Sequence, residues 1–537
     1  MKLYIYFLPI LLFVSNISKA QKITVDKPAV DFGMIFTNDP DTIEVQITNN
    51  AHFTIDIIDI NIFDTAFMVY DTAFSIPANS SVSFHIVFNP RHNIKYNTEA
   101  VIYAITNEGN ISIDVTGTGK YTDTYYNATQ NLSEESLKAA LKSITGSGYL
   151  SLGYNLARDK MFMEIDNKKI NGQGASQNTL ECVYTGTLAV GYTSRADAQT
   201  TFNFNTEHTF PQGTFSQNEP MRSDLHHLFP TYEPANSTRG NDPFGYVSNP
   251  TWQLGGSKSN GSTFEPRDVH KGDAARAMLY FLIRYQNYQN YVSAAHQNIL
   301  RDWAQQYLPD SIERKRNDDI FAMQKNRNPF IDHPEFLERI HNFIGLSQEP
   351  ARTELIITSD TINFYETVAG NLYKYDLILV NTGNTNITIS NLNIPNPSFT
   401  IKSADTLISP GEDGKIVVEY FSQVSQAETS ILSFISNAFT VPASIPVIAN
   451  IPPFVSVTEY PQPFLQLYPN PAEDYLYISG EHSEGLSYRI LDISGREIQR
   501  SNLSSENKIP VNSLQEGLYI FQLKKLGVRY SYKFIKL

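Results

Sequence analysis

Apolar and polar residues alternate with period two along the first part of the chain. Ile43-Glu44-Val45-Gln46-Ile47 and Val82-Ser83-Phe84-His85-Ile86-Val87-Phe88 each put their apolar side chains on one face, as a half-buried strand requires. Asn49-Asn50 and Pro77-Ala78-Asn79 separate such runs with residues that favour turns. No helical periodicity interrupts 22–120, so an all-β sandwich is expected there. The pattern returns downstream. Ile47-Thr48-Asn49-Asn50 corresponds to Leu379-Val380-Asn381-Thr382, and Ile76-Pro77 with Val82 to Phe88 corresponds to Ser409-Pro410 with Lys415 to Phe421. The two offsets differ by one residue, which marks a diverged internal repeat and predicts a second sandwich over 353–450.

Between the repeats the period changes. Leu132-Ser133-Glu134-Glu135-Ser136-Leu137-Lys138-Ala139-Ala140-Leu141 has helical spacing, with Ser133 placed to cap it. Asp273 to Tyr285 reads as a strong helix. The middle domain is therefore mixed α and β, over 121–350. After a Pro-rich linker at 451–463, alternation resumes in Tyr475-Leu476-Tyr477-Ile478, Gly517 to Leu523 and Tyr532 to Leu537. A further small β-sandwich is expected over 463–537. At the other end, Lys2, the apolar run Leu3 to Val14 and Ser18-Lys19-Ala20 before Gln21 have the layout of a secretory signal peptide, 1–20. The run is short for a membrane span, so no membrane span is expected in the mature chain.

Composition narrows the class. The 537 residues are 41% hydrophobic, which excludes a disordered polymer. Cys182 is the only cysteine, so no disulfide within the chain can brace an exported fold. The net charge is −14, which argues against a basic nucleic-acid coat. Residues 121–350 hold 21 Lys and Arg against 25 Asp and Glu, so the acidity lies mostly in the flanking modules.

Candidate chemistry concentrates in the middle domain. Glu207-His208 is followed by Arg222-Ser223-Asp224-Leu225-His226-His227-Leu228 and by Asn236-Ser237-Thr238-Arg239-Gly240-Asn241. With His270, this stretch holds four of the 11 histidines. No His-Glu-x-x-His occurs and cysteine is absent here, so a zinc site is not expected. His226 and His227, read as neighbours on a strand, would face opposite ways. Oxygen donors from Glu207 and an Asn suit a hard ion such as Mg²⁺, or another divalent cation such as Mn²⁺ or Ca²⁺.

These residues, with Phe264-Glu265-Pro266-Arg267-Asp268, Lys271 to Ala277, Arg316-Asn317 and Asn326 to Glu335, resemble the endonuclease I family over roughly 125–345. The resemblance implies a His-Me finger, also called a ββα-metal finger, and a secreted metal-dependent endonuclease cutting DNA, and RNA as well, with little sequence preference. It implies Glu207 and Asn236 as metal ligands, with Asn241 as the alternative if the helix register differs. An imidazole near its ordinary pKa suits proton abstraction from water, which makes His208 the general base. Arg222 and Arg239 are candidates for a phosphate clamp, because a guanidinium matches phosphate bidentately. Asp224 and His226 are expected to orient the site, and the late Asn326–Asp332 block to build scaffold.

The two repeats resemble immunoglobulin-like modules of secreted bacterial proteins, and 463–537 resembles the C-terminal sorting domain of the type IX secretion system. That implies passage through the periplasm to the cell surface or medium, with the secretion machinery as a partner. A reading from another class is an extracellular adhesion or binding protein with a catalytically inactive nuclease-like domain.

Overall fold

The computed structural model describes residues 22–450 except 366, and 466–537 except 480–486, 493–496, 504–507, 516 and 526–527. The expected signal peptide and the whole Pro-rich linker lie outside these residues. The described residues up to 450 form one compact unit and those from 466 onward another.

The period-two runs become antiparallel strands. Asp41–Asn49 pairs with Ser80–Phe88 so that Val45 opposes Phe84 and Ile47 opposes Val82. Val45, Ile47, Phe84 and Ile86 point inward and are essentially inaccessible, while Glu44 and Gln46 face out. This four-stranded sheet covers a five-stranded one containing Lys95–Ala104 and Ile111–Lys120, and Phe67 stacks on Phe88 at 4.5 Å in the core between them. The repeat holds in three dimensions. The second sandwich has four- and five-stranded sheets in the same strand order, including a parallel pair, Ile362–Phe364 with Ala443–Ala449, that matches Ala29–Phe36 with Ile111–Lys120.

One residue shows why the copies kept their motif. Asn49 is wholly buried; its amide donates to the carbonyls of Phe53 and Ile76 and its oxygen accepts from the Ala51 N–H. Asn381 does the same with Thr385, Ile408 and Gly383. A buried side chain that satisfies three backbone groups fixes the corner between strands.

The middle domain packs helices around the nearly all-buried Asp268–Arg284, whose core neighbours include Phe210, Trp303 and Phe336. This helix begins five residues before the expected Asp273, directly after extended Arg267, and Pro266 holds the preceding Glu265 out of the helix. Gly272 lies inside it because a Cβ there would come 2.4 Å from the Tyr307 carbonyl oxygen. Ser133 takes the N-cap position of Glu134–Gly146, although its side chain makes no capping bond. His226 and His227 lie on a single 3-10 turn, Leu225–His227, rather than on a strand as expected. Asp224 sets that turn by accepting from the His226 N–H. Cys182 is a free thiol in the core.

The C-terminal unit, taken by itself, is two antiparallel sheets of three and four strands closing on Leu476, Ile490, Phe521 and Phe534. Among the described residues, no helix is long and apolar enough to cross a membrane.

Candidate active site

The chemistry-bearing residues converge on a two-stranded hairpin followed by a short helix. Phe204–His208 pairs antiparallel with Leu228–Tyr232, with Glu207 opposite Phe229 and His208 opposite Leu228. The chain then turns directly into the helix Glu233–Arg239, with Pro234 in its first turn where a missing N–H costs nothing. Glu207 and His208 are adjacent on a strand and therefore project to opposite faces. Asn236 and Arg239, three apart on the helix, share the face that meets the hairpin.

Each of these side chains is held by named partners. The Tyr184 hydroxyl donates to Glu207 Oε1 at 2.7 Å, and both residues are buried. Arg239, 1% exposed, lies 3.4 Å from the same carboxylate oxygen. Its guanidinium also donates to the carbonyls of Thr209 at 2.7 Å and Gly240 at 3.0 Å. With both terminal nitrogens bonded to backbone carbonyls and its side chain buried, Arg239 ties the helix to the hairpin and presents no face to a polyanion. Arg222 is different. It is half-buried, and its guanidinium stacks 4.0 Å over the Tyr154 ring, with Arg158 at 4.8 Å from that ring.

His208 is bounded by Tyr154, whose ring lies 5.6 Å away, and by His227 at the same centroid distance. Its Nε2 lies 3.2 Å from the Arg222 carbonyl oxygen. A carbonyl only accepts, so Nε2 carries the proton and Nδ1 holds the lone pair. Burial first, and then the neighbouring His227, hold the imidazole pKa well below its ordinary value.

Beneath His208, the Asp224 carboxylate accepts from Tyr280 at 2.7 Å, Tyr285 at 2.8 Å and Gln324 at 2.8 Å, with Arg284 3.4 Å away. Burial works against its charge, but Arg284 and the two histidines overcome that and keep the carboxyl ionised well below the usual range. His226 and His227 reach the carbonyls of Asn326 and Met221. Burial brings the His226 pKa down to about 4, so it stays neutral. Arg316 grips Asp166 and the carbonyls of Leu225 and Leu228, and Arg327 grips Asp318 and Asp332. Both guanidiniums are engaged with the scaffold.

The residues fit an oxygen-ligated divalent ion. Glu207 Oε2 accepts no hydrogen bond among the described residues. The Asn236 amide nitrogen donates to the Thr206 carbonyl at 3.3 Å, which leaves its oxygen as the free end. A carboxylate and an amide oxygen are hard donors. Asn241 sits beyond the helix and is exposed, with its carbonyl accepting from Tyr291.

Three residues of this neighbourhood carry no motif signal. Tyr184, Tyr154 and Arg158 lie 20 to 50 positions before the hairpin and reach it only through the fold. A Tyr buried against a carboxylate gives no periodic trace in one sequence.

Comparison with known proteins agrees in kind. Residues 131–335 match Endonuclease I, 353–447 match the HYDIN/CFA65/VesB-like, Ig-like domain, and 466–537 match the secretion system C-terminal sorting domain. An extracellular ribonuclease of Bacillus subtilis (strain 168) is 31% identical over 236 residues, covering 41% of this chain and 78% of that protein. An extracellular ribonuclease of Bacillus amyloliquefaciens is 32% identical over 239 residues, with the same two shares. An extracellular deoxyribonuclease of Aeromonas hydrophila is 31% identical over 117 residues, covering 21% of this chain and 50% of that protein. With 78% of each Bacillus relative spanned at this level of identity, the chain belongs to the endonuclease I family and is a secreted nuclease that ends in a secretion sorting domain.

Proposed function

We propose that the middle domain, over about 121–350, is a His-Me finger that hydrolyses phosphodiester bonds of DNA and RNA with little sequence preference, using His208 as base. The observation that carries the reading is the His208 Nε2 bond to the Arg222 carbonyl, beside Glu207. It fixes the ring and the tautomer, so that Nδ1 is the atom left to take a proton from water. The water oxygen then attacks phosphorus, the bond to the leaving 3′ oxygen breaks, and that oxygen takes up a proton from a solvent water. Glu207 and Asn236 would hold a divalent ion, Mg²⁺ or a similar cation. Such an ion supplies neutralisation of charge on the phosphoryl and leaving oxygens.

Tyr184 and Arg239 keep the Glu207 carboxylate aimed, and Arg222 with Arg158 offers positive charge at the rim. Arg239 thus acts through Glu207 rather than as a clamp. Breadth of substrate is supported by the relatives, whose names include both ribonuclease and deoxyribonuclease. The helix contact to Thr206 favours Asn236 over Asn241 as ligand. Export takes the chain first to the periplasm by its leader and then outward by 463–537, through the secretion machinery.

The test is digestion of plasmid and of single-stranded RNA by the purified chain, with EDTA and then with Mg²⁺, Mn²⁺ or Ca²⁺ restored. His208→Ala is expected to lose about 10²–10⁴-fold in rate at unchanged circular dichroism, the usual worth of a general base. Full activity in that variant, or activity indifferent to EDTA, overturns the reading.

A further inference from the structure

The two sandwiches dock on each other within the first unit. Val101 of one packs with Ile378 and Val380 of the other in a small apolar cluster, Asp376 N donates to the Glu108 carbonyl, and Asn107 and Tyr365 exchange two bonds. At this joint the sequence breaks a rule of sheet design. On the antiparallel strands Lys95–Ala104 and Ile111–Lys120, Glu99 stands directly opposite Asp114. Like charges facing each other across a sheet are destabilising. The second module makes this worse by bringing in Asp413, the first residue of Asp413–Phe421. One ligand oxygen from each of the three lies within 4.8 Å of the others.

A second, independent feature points to something bound. Glu99 is 3% exposed, and its Oε2 has no hydrogen-bond partner among the described residues. Asp413 accepts from Ser112 Oγ at 2.7 Å, and no Lys or Arg forms an ion pair with any of the three among the described residues. The nearby Lys415 points to Asp376 at 4.0 Å. Burial, then the charge of Asp413 and a hydrogen bond with Asp114, push the Glu99 carboxyl up to about 9. A buried carboxylate left without a cation is costly.

We propose that Glu99, Asp114 and Asp413 form a divalent-cation site, of the Ca²⁺ type, that clamps the two immunoglobulin-like modules together. Oxygens up to 4.8 Å apart can sit on either side of an ion whose bonds are about 2.4 Å long. Ca²⁺ tolerates the irregular geometry that two separate modules supply, whereas Mg²⁺ demands a near-ideal octahedron. The ion would tie Glu99 and Asp114 of one module to Asp413 of the other and stiffen the joint. This site is separate from the hairpin and concerns no step of hydrolysis.

The experiment is Ca²⁺ titration calorimetry and thermal unfolding on the full chain carrying Glu207→Ala, which removes the nuclease-domain carboxylate from the count. One Ca²⁺ per chain is expected to bind, at about 10⁻⁴–10⁻³ M as in other extracellular modules. Glu99→Gln or Asp413→Asn in that background is expected to weaken binding at least tenfold and to abolish the Ca²⁺-dependent rise in Tm. Both variants in the native-Glu207 chain are expected to cut DNA as before, which confirms folding. No binding at millimolar Ca²⁺, or binding unchanged by both variants, overturns the proposal.

Discussion

Tyr184 donates its hydroxyl to Oε1 of Glu207 at 2.7 Å, and Arg239 lies 3.4 Å from that same oxygen. Two residues from distant parts of the chain therefore hold one carboxylate in place. Removing the hydroxyl in Tyr184→Phe keeps the packing but frees the carboxylate to turn. The Mg²⁺ concentration for half-maximal cleavage should rise, by about 10–100-fold if Glu207 is a ligand, the usual cost of losing a partner behind a metal ligand. An unchanged Mg²⁺ titration curve would show that the hydroxyl does not aim the carboxylate.

Asn236 and Asn241 separate two helix registers. Asn236→Ala should raise the Mg²⁺ requirement, because more of the coordination then falls to water. Asn241→Ala, in an exposed residue past the helix end, should leave it unchanged. The reverse pattern would move the ligand by five residues.

The two arginines should part company under mutation. Arg239→Met leaves Glu207 buried without its cation, and loss of one partner of a buried pair costs about 3–5 kcal/mol, so the urea midpoint should fall sharply. Arg222→Ala should unfold at nearly the native midpoint. Its cleavage rate should instead fall most at low salt and depend less steeply on salt than the native rate, since a rim cation contributes attraction for a polyanion that salt screens. Equal urea midpoints for the two variants would contradict the burial argument.

His333 links stability to pH. It bonds Asp123 at 2.8 Å and Glu335 at 3.0 Å and stacks on Tyr121 at 3.6 Å. Burial opposes its charge, yet the bonds to both carboxylates outweigh that and raise its pKa above the ordinary 6.5. The folded state then binds the proton more tightly than the unfolded one. This contribution is complete below pH 6.5 and is lost as pH rises through the folded value. Thermal unfolding between pH 6 and 9 should show a steeper decline in Tm for the native chain than for His333→Gln. Parallel curves would remove His333 from the account.

The terminal unit should address the protein outward without assisting catalysis. Deleting 463–537 should leave active nuclease in the periplasm, with specific activity unchanged. Normal levels of the truncated protein in the medium would refute this, and so would a purified truncation that no longer cuts DNA.

Much of the architecture was legible before any fold was known. Period-two runs around Val45 and Phe84 located strands, and the Asn49–Asn381 correspondence located the repeat, because a core-facing pattern and a corner Asn are local requirements. Glu207-His208 and Asn236 could be singled out because they lie within a short stretch. The adjacent His226 and His227 misled a strand reading, since Asp224 capping of a 3-10 turn outweighs simple alternation. Arg239 looked like a phosphate contact, and nothing in one dimension distinguishes an exposed guanidinium from one enclosed by the Thr209 and Gly240 carbonyls.

The division is physical. Sequence alone located the main strands of the sandwiches, two helices of the middle domain, the module repeat and the candidate residues, since periodicity and turn residues act over a few positions. Only the tertiary structure decided which atoms those residues present. Tyr184 reaches Glu207 across 23 positions, Arg222 offers its carbonyl to His208 across 14, and Glu99 meets Asp413 of another module. Burial and hydrogen-bond partners set a side chain's tautomer, charge and direction, and both arise from contacts between segments that have no fixed spacing along the chain.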